Sequence, residues 1–294
     1  MSPRLVPPGA DVRHVDVPVG RLRVLHAGAA TERDPVVLVH GGGSDNAGIS
    51  WHDLLAPLGA DREVWAPDLP GFGGSVDVEP VGGPEAMAEV VRSVMDAVGV
   101  PRAVVMGVSM GGDVALNLAL HHPGRVSGLV LIAPGGLASM LRNRPAQAAA
   151  WAVAQLPDRV MLPATRLLNR LSSTALRAMV ADPARLPPAV VEEFLTESRH
   201  PRGSRGYLRY NQATLGRDGM RNDLMPRVHE ITAPTLFVHG EDDPLVSPLD
   251  SARAAQRMHG ARLVLVPNCG HWAQLEAHDE VFAEIRGFLA AVSP

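Results

Sequence analysis

Val104-Val105-Met106-Gly107-Val108-Ser109-Met110-Gly111-Gly112 runs a β-branched, apolar segment into Gly-x-Ser-x-Gly, and Asp113-Val114-Ala115-Leu116-Asn117-Leu118-Ala119-Leu120 follows with the pattern of a helix. A serine on so sharp a strand-to-helix turn has its hydroxyl lifted clear of the sheet, with the backbone N–H groups of the new helix aimed at it. The flanking glycines are needed because a Cβ at either place crowds the turn. Gly-x-Ser-x-Gly alone arises by chance in a Gly-rich chain. Set between a strand and a helix it reads as a nucleophile rather than a structural turn serine.

Outward from this turn, short apolar runs alternate with helical patterns, which is the signature of a parallel sheet covered on both faces. Strands are expected at 11–17, 22–27, 36–40, 63–66, 103–108, 128–133, 235–240 and 262–267, with helices at 51–58, 84–98, 110–121, 249–258 and 279–291. Val36-Val37-Leu38-Val39 is continuously hydrophobic, as a strand buried on both faces should be. The first two strands read as an antiparallel hairpin at the sheet edge. After Ala133-Pro134-Gly135-Gly136 the alternation stops, and helical patterns at 145–155, 160–171, 188–198 and 207–215 follow, punctuated by prolines. The expected organisation is an α/β core of residues 1–134 and 226–294 with a helical cap inserted at 135–225.

Composition narrows the chemistry. The 294 residues are 46% hydrophobic and 20% charged, an ordinary globular balance with length enough for a substantial core. A net charge of −4 gives no support for a nucleic-acid or anionic-membrane partner. No apolar run approaches the roughly 18 residues that span a bilayer, and Met1-Ser2-Pro3-Arg4-Leu5-Val6-Pro7-Pro8 lacks a signal core, so a cytoplasmic location is expected. The single cysteine, Cys269, excludes an internal disulfide framework. All 27 basic residues are arginine, which rules out Schiff-base, P-loop and kinase-type lysine chemistry. No His-Glu-x-x-His spacing or thiolate set suggests a metal, and no cofactor is expected.

A serine hydroxyl needs a base within hydrogen-bond reach, itself oriented by a carboxylate. Those partners belong on loops at the same sheet edge as Ser109, after later strands. Two loops qualify: Glu241-Asp242-Asp243-Pro244-Leu245-Val246 and Asn268-Cys269-Gly270-His271-Trp272. The reaction also needs N–H donors for an oxyanion. His40-Gly41-Gly42-Gly43, after the third strand, is a loop whose missing side chains let backbone approach a substrate. Met110 N–H would supply one donor and Gly42 the other, with Gly43 as its substitute.

With these segments in place, the chain resembles the α/β-hydrolase superfamily across nearly its whole length. Asp68-Leu69-Pro70-Gly71-Phe72-Gly73-Gly74-Ser75 and the order Ser, Asp, His add to the likeness. The resemblance implies Asp243, just before the proline, as catalytic acid, with Asp242 as fallback, and His271 as base. Within the superfamily, His40-Gly41-Gly42-Gly43, Ser109-Met110-Gly111-Gly112 and Gly270-His271-Trp272-Ala273-Gln274 look like the carbon–carbon bond hydrolases that cleave ring-fission products of aromatic degradation. The chain departs from them at Val108, where they usually carry Asn, and at Ser44-Asp45-Asn46, where they continue Pro-Gly.

The expected activity is therefore a Ser109–His271–Asp243 hydrolase acting on a small, largely hydrophobic carbonyl compound: an ester, a lactone or a vinylogous diketone. Rival readings on the same fold are a cofactor-free haloperoxidase-like enzyme and a natural-product thioesterase or cyclase; outside catalysis, a ligand-binding protein that keeps the pocket. Trp272, Trp151, Met140 and Tyr207 are candidate substrate contacts, although apolar residues at helical spacing are more often core. Arg199, Arg202, Arg205 and Arg209 form a basic cluster read as a solvated face, or as the holder of a substrate carboxylate. His40 reads as a structural tie for the glycine loop, and Cys269 as packing. The sequence leaves the oligomeric state open, a homodimer included.

Overall fold

A computed structural model describes residues 4–168 and 171–293. Among these, eight strands form one sheet: β1 (Asp11–Val17), β2 (Gly20–Ala27), β3 (Val36–Val39), β4 (Val64–Pro67), β5 (Ala103–Val108), β6 (Val126–Ile132), β7 (Thr235–Gly240) and β8 (Ala261–Val266). Their spatial order is β1-β2-β4-β3-β5-β6-β7-β8. The hairpin β1–β2 is antiparallel with Val17 opposite Gly20, β2 lies antiparallel to β4, and the remaining pairs are parallel. All eight expected strands are present, three with the expected ends and five with an end shifted by one or two residues.

Because side chains alternate across a strand, each central strand feeds two cores. Val37, Val39, Val105, Leu129, Leu131 and Phe237 point to the face covered by α3 (Pro84–Ala97) and α4 (Met110–His121). Val36, Leu38, Val104, Met106, Val108, Val130, Ile132, Leu236 and Val238 point to the other. That face is covered by α1 (Ala47–Ser50), α2 (Leu55–Leu58), α11 (Ala273–Glu276) and α12 (His278–Val292). Helix α10 (Pro248–Arg257) follows β7 and buries Ala254 against the first core. α3 ends where Gly99 takes φ +75° and Val100 N–H reaches back 2.8 Å to Met95 O, a left-handed stop that glycine adopts without strain. No helix of the described residues is long and apolar enough to cross a membrane.

Between β6 and β7 lie α5 (Arg144–Ala154), α6 (Asp158–Leu168), α7 (Ser172–Met179), α8 (Pro188–Arg199) and α9 (Arg205–Thr214). The expected continuation of α6 through 169–170 falls outside the described residues. The periodicity gives no sign of helix α7, and the helix expected at 51–58 is only half present: residues 51–54 are a turn between α1 and α2, and 55–58 form α2. Gln147 ties the segment internally, donating to Gly216 O at 2.7 Å and accepting from Leu141 N–H at 2.8 Å.

The strand order locates the site. From β3 the chain winds toward β4, then crosses over to β5 and winds the other way. The crevice beyond the carboxyl ends of β3 and β5 is thus a topological switch point, where loops diverge and a ligand finds room. The glycine loop 41–43 and Ser109 leave the sheet there.

Candidate active site

Ser109 follows β5 with φ +53° and ψ −119°, a backbone state that L-residues rarely hold. A Cβ on Gly107 would sit 2.2 Å from Gly111 O, and one on Gly111 would sit 2.1 Å from Val39 O. No other residue fits either side of the turn. The three non-glycine residues with positive φ among the described residues are Ser109, Ala133 and Asn268. They leave β5, β6 and β8 at the same sheet edge. Each such residue costs about 1–3 kcal/mol, and strain of this kind gathers at functional sites.

The structure brings the expected acid and base together. His271 Nδ1 donates to Asp243 Oδ2 at 2.7 Å, which leaves its Nε2 as the acceptor. The other oxygen, Oδ1, accepts from Leu245 N–H at 2.8 Å and Val246 N–H at 3.1 Å. Asp242 has no such role; its amide donates to Cys269 O. A partner that sequence reasoning missed is His239, on β7, whose Nε2 donates to Asp243 Oδ2 at 3.1 Å while Ser251 donates to its Nδ1 at 2.8 Å. Burial alone would raise the Asp243 carboxyl. The hydrogen bonds from His239 and His271, and the charge on His271, outweigh it and hold that carboxyl well below the usual range. Among the described residues Ser109 Oγ makes no hydrogen bond to His271; such contacts often tighten only around substrate.

The His271 backbone is fixed from two sides. Its N–H donates to Met179 O at 2.8 Å, at the end of α7. Glu276 accepts from Gly270 N–H at 3.1 Å and from Ala181 N–H at 2.7 Å, clamping the histidine loop to the chain after α7.

The glycine loop is equally constrained. His40 is fully buried; its Nδ1 donates to Gly41 O at 2.7 Å and its Nε2 accepts from Leu69 N–H at 3.0 Å, the structural role expected of it. Gly41 N–H is used on Asp45 Oδ2 at 3.0 Å. Burial raises the Asp45 carboxyl, against the pull of His40, Ser50 and the backbone donors. Among the described residues, the N–H groups of Gly42, Gly43 and Met110 have no acceptor, and these are the donors named for an oxyanion.

A cavity of about 670 Å³ opens on the site. Ser109, Met110 and Asp243 line it, with Met140, Arg142 and Tyr207 among its other walls. Met140 and Tyr207 are therefore at the cavity, whereas Trp272 and Trp151 are not among its walls. Trp272 is buried in the core, edge-on to Phe194 at 5.8 Å, and Trp151 is half-buried on α5. Of the basic cluster, Arg202 pairs with Asp77 at 2.5 Å, Arg205 with Glu79 at 2.8 Å and Arg209 with Asp158 at 2.5 Å, a paired surface. Among the described residues no three His, Cys, Asp or Glu side chains converge to hold a metal.

A family model described as the alpha/beta hydrolase fold matches residues 34–278. The chain is 32% identical to the 2-hydroxy-6-oxo-6-phenylhexa-2,4-dienoate hydrolase of Burkholderia cepacia, over 90% of this chain and 91% of that one. It is 32% identical, with the same coverage of 90% and 91%, to a 2-hydroxy-6-oxononadienedioate/2-hydroxy-6-oxononatrienedioate hydrolase of Comamonas testosteroni. The solved 2-hydroxy-6-oxo-6-phenylhexa-2,4-dienoate hydrolase of Rhodococcus sp. strain RHA1 superposes with a TM-score of 0.70 at 24% identity, covering 94% of this chain and 98% of that one, a likeness of fold.

Proposed function

The chain belongs to the α/β-hydrolase fold family, and from that premise we propose a serine hydrolase in which Ser109, His271 and Asp243 act together on the carbon–carbon bond of a ring-fission dienoate. The observation that carries the reading is that Asp243, bearing the His271 imidazole, lines the same cavity as Ser109 and Met110. Helices of the 135–225 segment serve as the cap over that cavity.

Ser109 Oγ bonds to the attacked carbonyl carbon while its proton passes to His271 Nε2. Asp243 holds the ring and stabilises the imidazolium. Negative charge on the carbonyl oxygen is met by Met110 and Gly42 N–H, each such donor being worth about 2.7–4 kcal/mol. For a vinylogous diketone, the dienol first becomes a ketone. The carbon–carbon bond then breaks, its electron pair going to the departing carbon, which takes the proton back from His271. Water, deprotonated by the same imidazole, releases the acid from Ser109.

Relatives named as dienoate hydrolases support this substrate class. Arg142, a cavity wall with no ion pair among the described residues, is available as counter-ion for a substrate carboxylate. A simple ester or lactone is the second reading, favoured by Val108 where the carbon–carbon hydrolases carry Asn. The test is turnover of wild type and Ser109→Ala on a 2-hydroxy-6-oxo-dienoate and on short p-nitrophenyl esters. Dienoate turnover far above the esters, lost in Ser109→Ala, is the expected result; esters alone would favour the second reading, and activity surviving Ser109→Ala would refute both.

A further inference from the structure

The helix after the nucleophile carries an acid that the mechanism does not use. Asp113 lies one turn beyond Ser109 on α4 and is fully buried. Its Oδ2 accepts from the Tyr210 hydroxyl at 2.7 Å and from Asn222 Nδ2 at 2.5 Å, and its Oδ1 accepts from Asn117 Nδ2 at 3.1 Å. Asn222 Nδ2 also donates to the Tyr210 hydroxyl oxygen at 3.2 Å. The loop after β6 closes on the same carboxylate, since a Cβ on Gly136 would lie 2.4 Å from Oδ1. Burial pushes the Asp113 carboxyl up to about 7 despite these donors. A group so costly to bury, held on three sides, is built to fix something.

Tyr210 continues the line. One helical turn before it on α9, Tyr207 stacks on it with ring centroids 5.9 Å apart and planes inclined by 10°. The Tyr207 ring then lies against the glycine loop: a Cβ on Gly42 would be 2.4 Å from its Cε2. Asp113, Tyr210, Tyr207 and Gly42 thus form a continuous brace. It starts on the helix whose first residue is Met110 and ends on the loop that carries Gly42.

We infer that this brace sets the spacing between the two N–H groups that receive the oxyanion, with Tyr210 and Asp113 as positioning residues. The inference rests on the reading of Ser109 as nucleophile. Two donors on separate loops work only if their separation matches the tetrahedral oxygen, and a displacement near 1 Å costs on the order of 100-fold in rate. Charge on that oxygen develops during reaction, so a loosened brace slows turnover and leaves ground-state binding alone.

Tyr210→Phe keeps the ring and removes the hydroxyl. It should lower kcat about tenfold, less than the ~100-fold or more for loss of a whole donor, with KM within about twofold. Tyr207→Leu, which leaves Asp113 and its donors in place, should lower kcat in the same direction, with KM free to change because Tyr207 is also a wall of the cavity. The discriminating measurement compares acylation by p-nitrophenyl acetate with acylation by its thiono analogue. Sulfur is larger and accepts hydrogen bonds poorly, so a tight pair of donors strongly prefers oxygen. Both variants should narrow that preference when assayed well below their melting temperatures; that of Tyr210→Phe falls with the lost hydrogen bond to Asp113. If Tyr210→Phe and Tyr207→Leu retain wild-type kcat and thiono preference while Ser109→Ala is inactive, the brace is refuted and the nucleophile stands. Turnover that survives Ser109→Ala refutes the nucleophile, and the brace with it.

Discussion

Asp243 Oδ2 carries two imidazoles, and the second changes what the first can do. With His239 and His271 both donating, the carboxylate cannot rotate away, so the proton of His271 stays on Nδ1. A hydrogen bond to a charged group contributes about 1.5–3 kcal/mol, so His239→Phe should destabilise the protein by that amount at neutral pH. The sign with pH follows from the direction of the shift. A carboxyl held below its unfolded value contributes stability present above about pH 4 and lost as the pH falls through the folded value. The gap between wild type and His239→Phe should therefore narrow below pH 4 in denaturant titrations; a constant gap would refute the account. At this scale Ser109, Asp243 and His271 were legible because each sits in a motif-bearing loop after a strand. Asp113 was not, because its partners Tyr210 and Asn222 lie about a hundred residues away; nor was His239, a lone histidine inside an apolar strand whose neighbour Asp243 comes within reach only through the turn after β7.

Helix α8 meets the core through carboxylates. Asn46 Nδ2 donates to Glu193 Oε1 at 3.1 Å and to Glu197 Oε1 at 3.0 Å, while Asn46 Oδ1 caps α1. Arg4 pairs with Glu197 as well. Burial still pushes Glu197 up to about 7, against the pull of Arg4 and Asn46. A raised carboxyl contributes stability that is whole below its unfolded value and is lost as pH climbs through the folded one. Unfolding free energy should thus decline between about pH 5 and 7, and Glu197→Gln should flatten that slope by up to about 1.4 kcal/mol per pH unit. Urea titrations across this range are the check, and an unchanged slope would refute it. Elements with a strong apolar signal, periodic in α3 and continuous in the central strands, could be read from sequence. Helix α7, Ser-Ser-Thr-Ala-Leu-Arg-Ala-Met, could not: it buries only Ser172 and Leu176 and so carries little apolar pattern. The first half of the expected helix at 51–58 failed for the opposite reason. Trp51 and Leu54 are buried, yet their backbone turns between two short helices.

Across the whole molecule, the alternation of strands and helices was plain in the sequence, but the spatial order was not. Nothing local says that β3 lies between β4 and β5; the order expresses how crossovers pack, and it is that order which opens the crevice at Ser109. Global folding also hides the one thiol. Cys269 is fully buried, and burial, together with nearby Glu276, pushes its thiol up to about 12. Ellman's reagent should leave the native protein unlabelled and should modify one thiol per chain in guanidinium; prompt native labelling would contradict this packing.

The hydrogen bond from His271 N–H to Met179 O joins the proposed general base to the helices between β6 and β7. Any excursion that lifts α7 from the sheet releases the backbone beneath that imidazole. The proposed base and the proposed cap are therefore mechanically linked: a change that loosens α7 also loosens the loop that presents the imidazole.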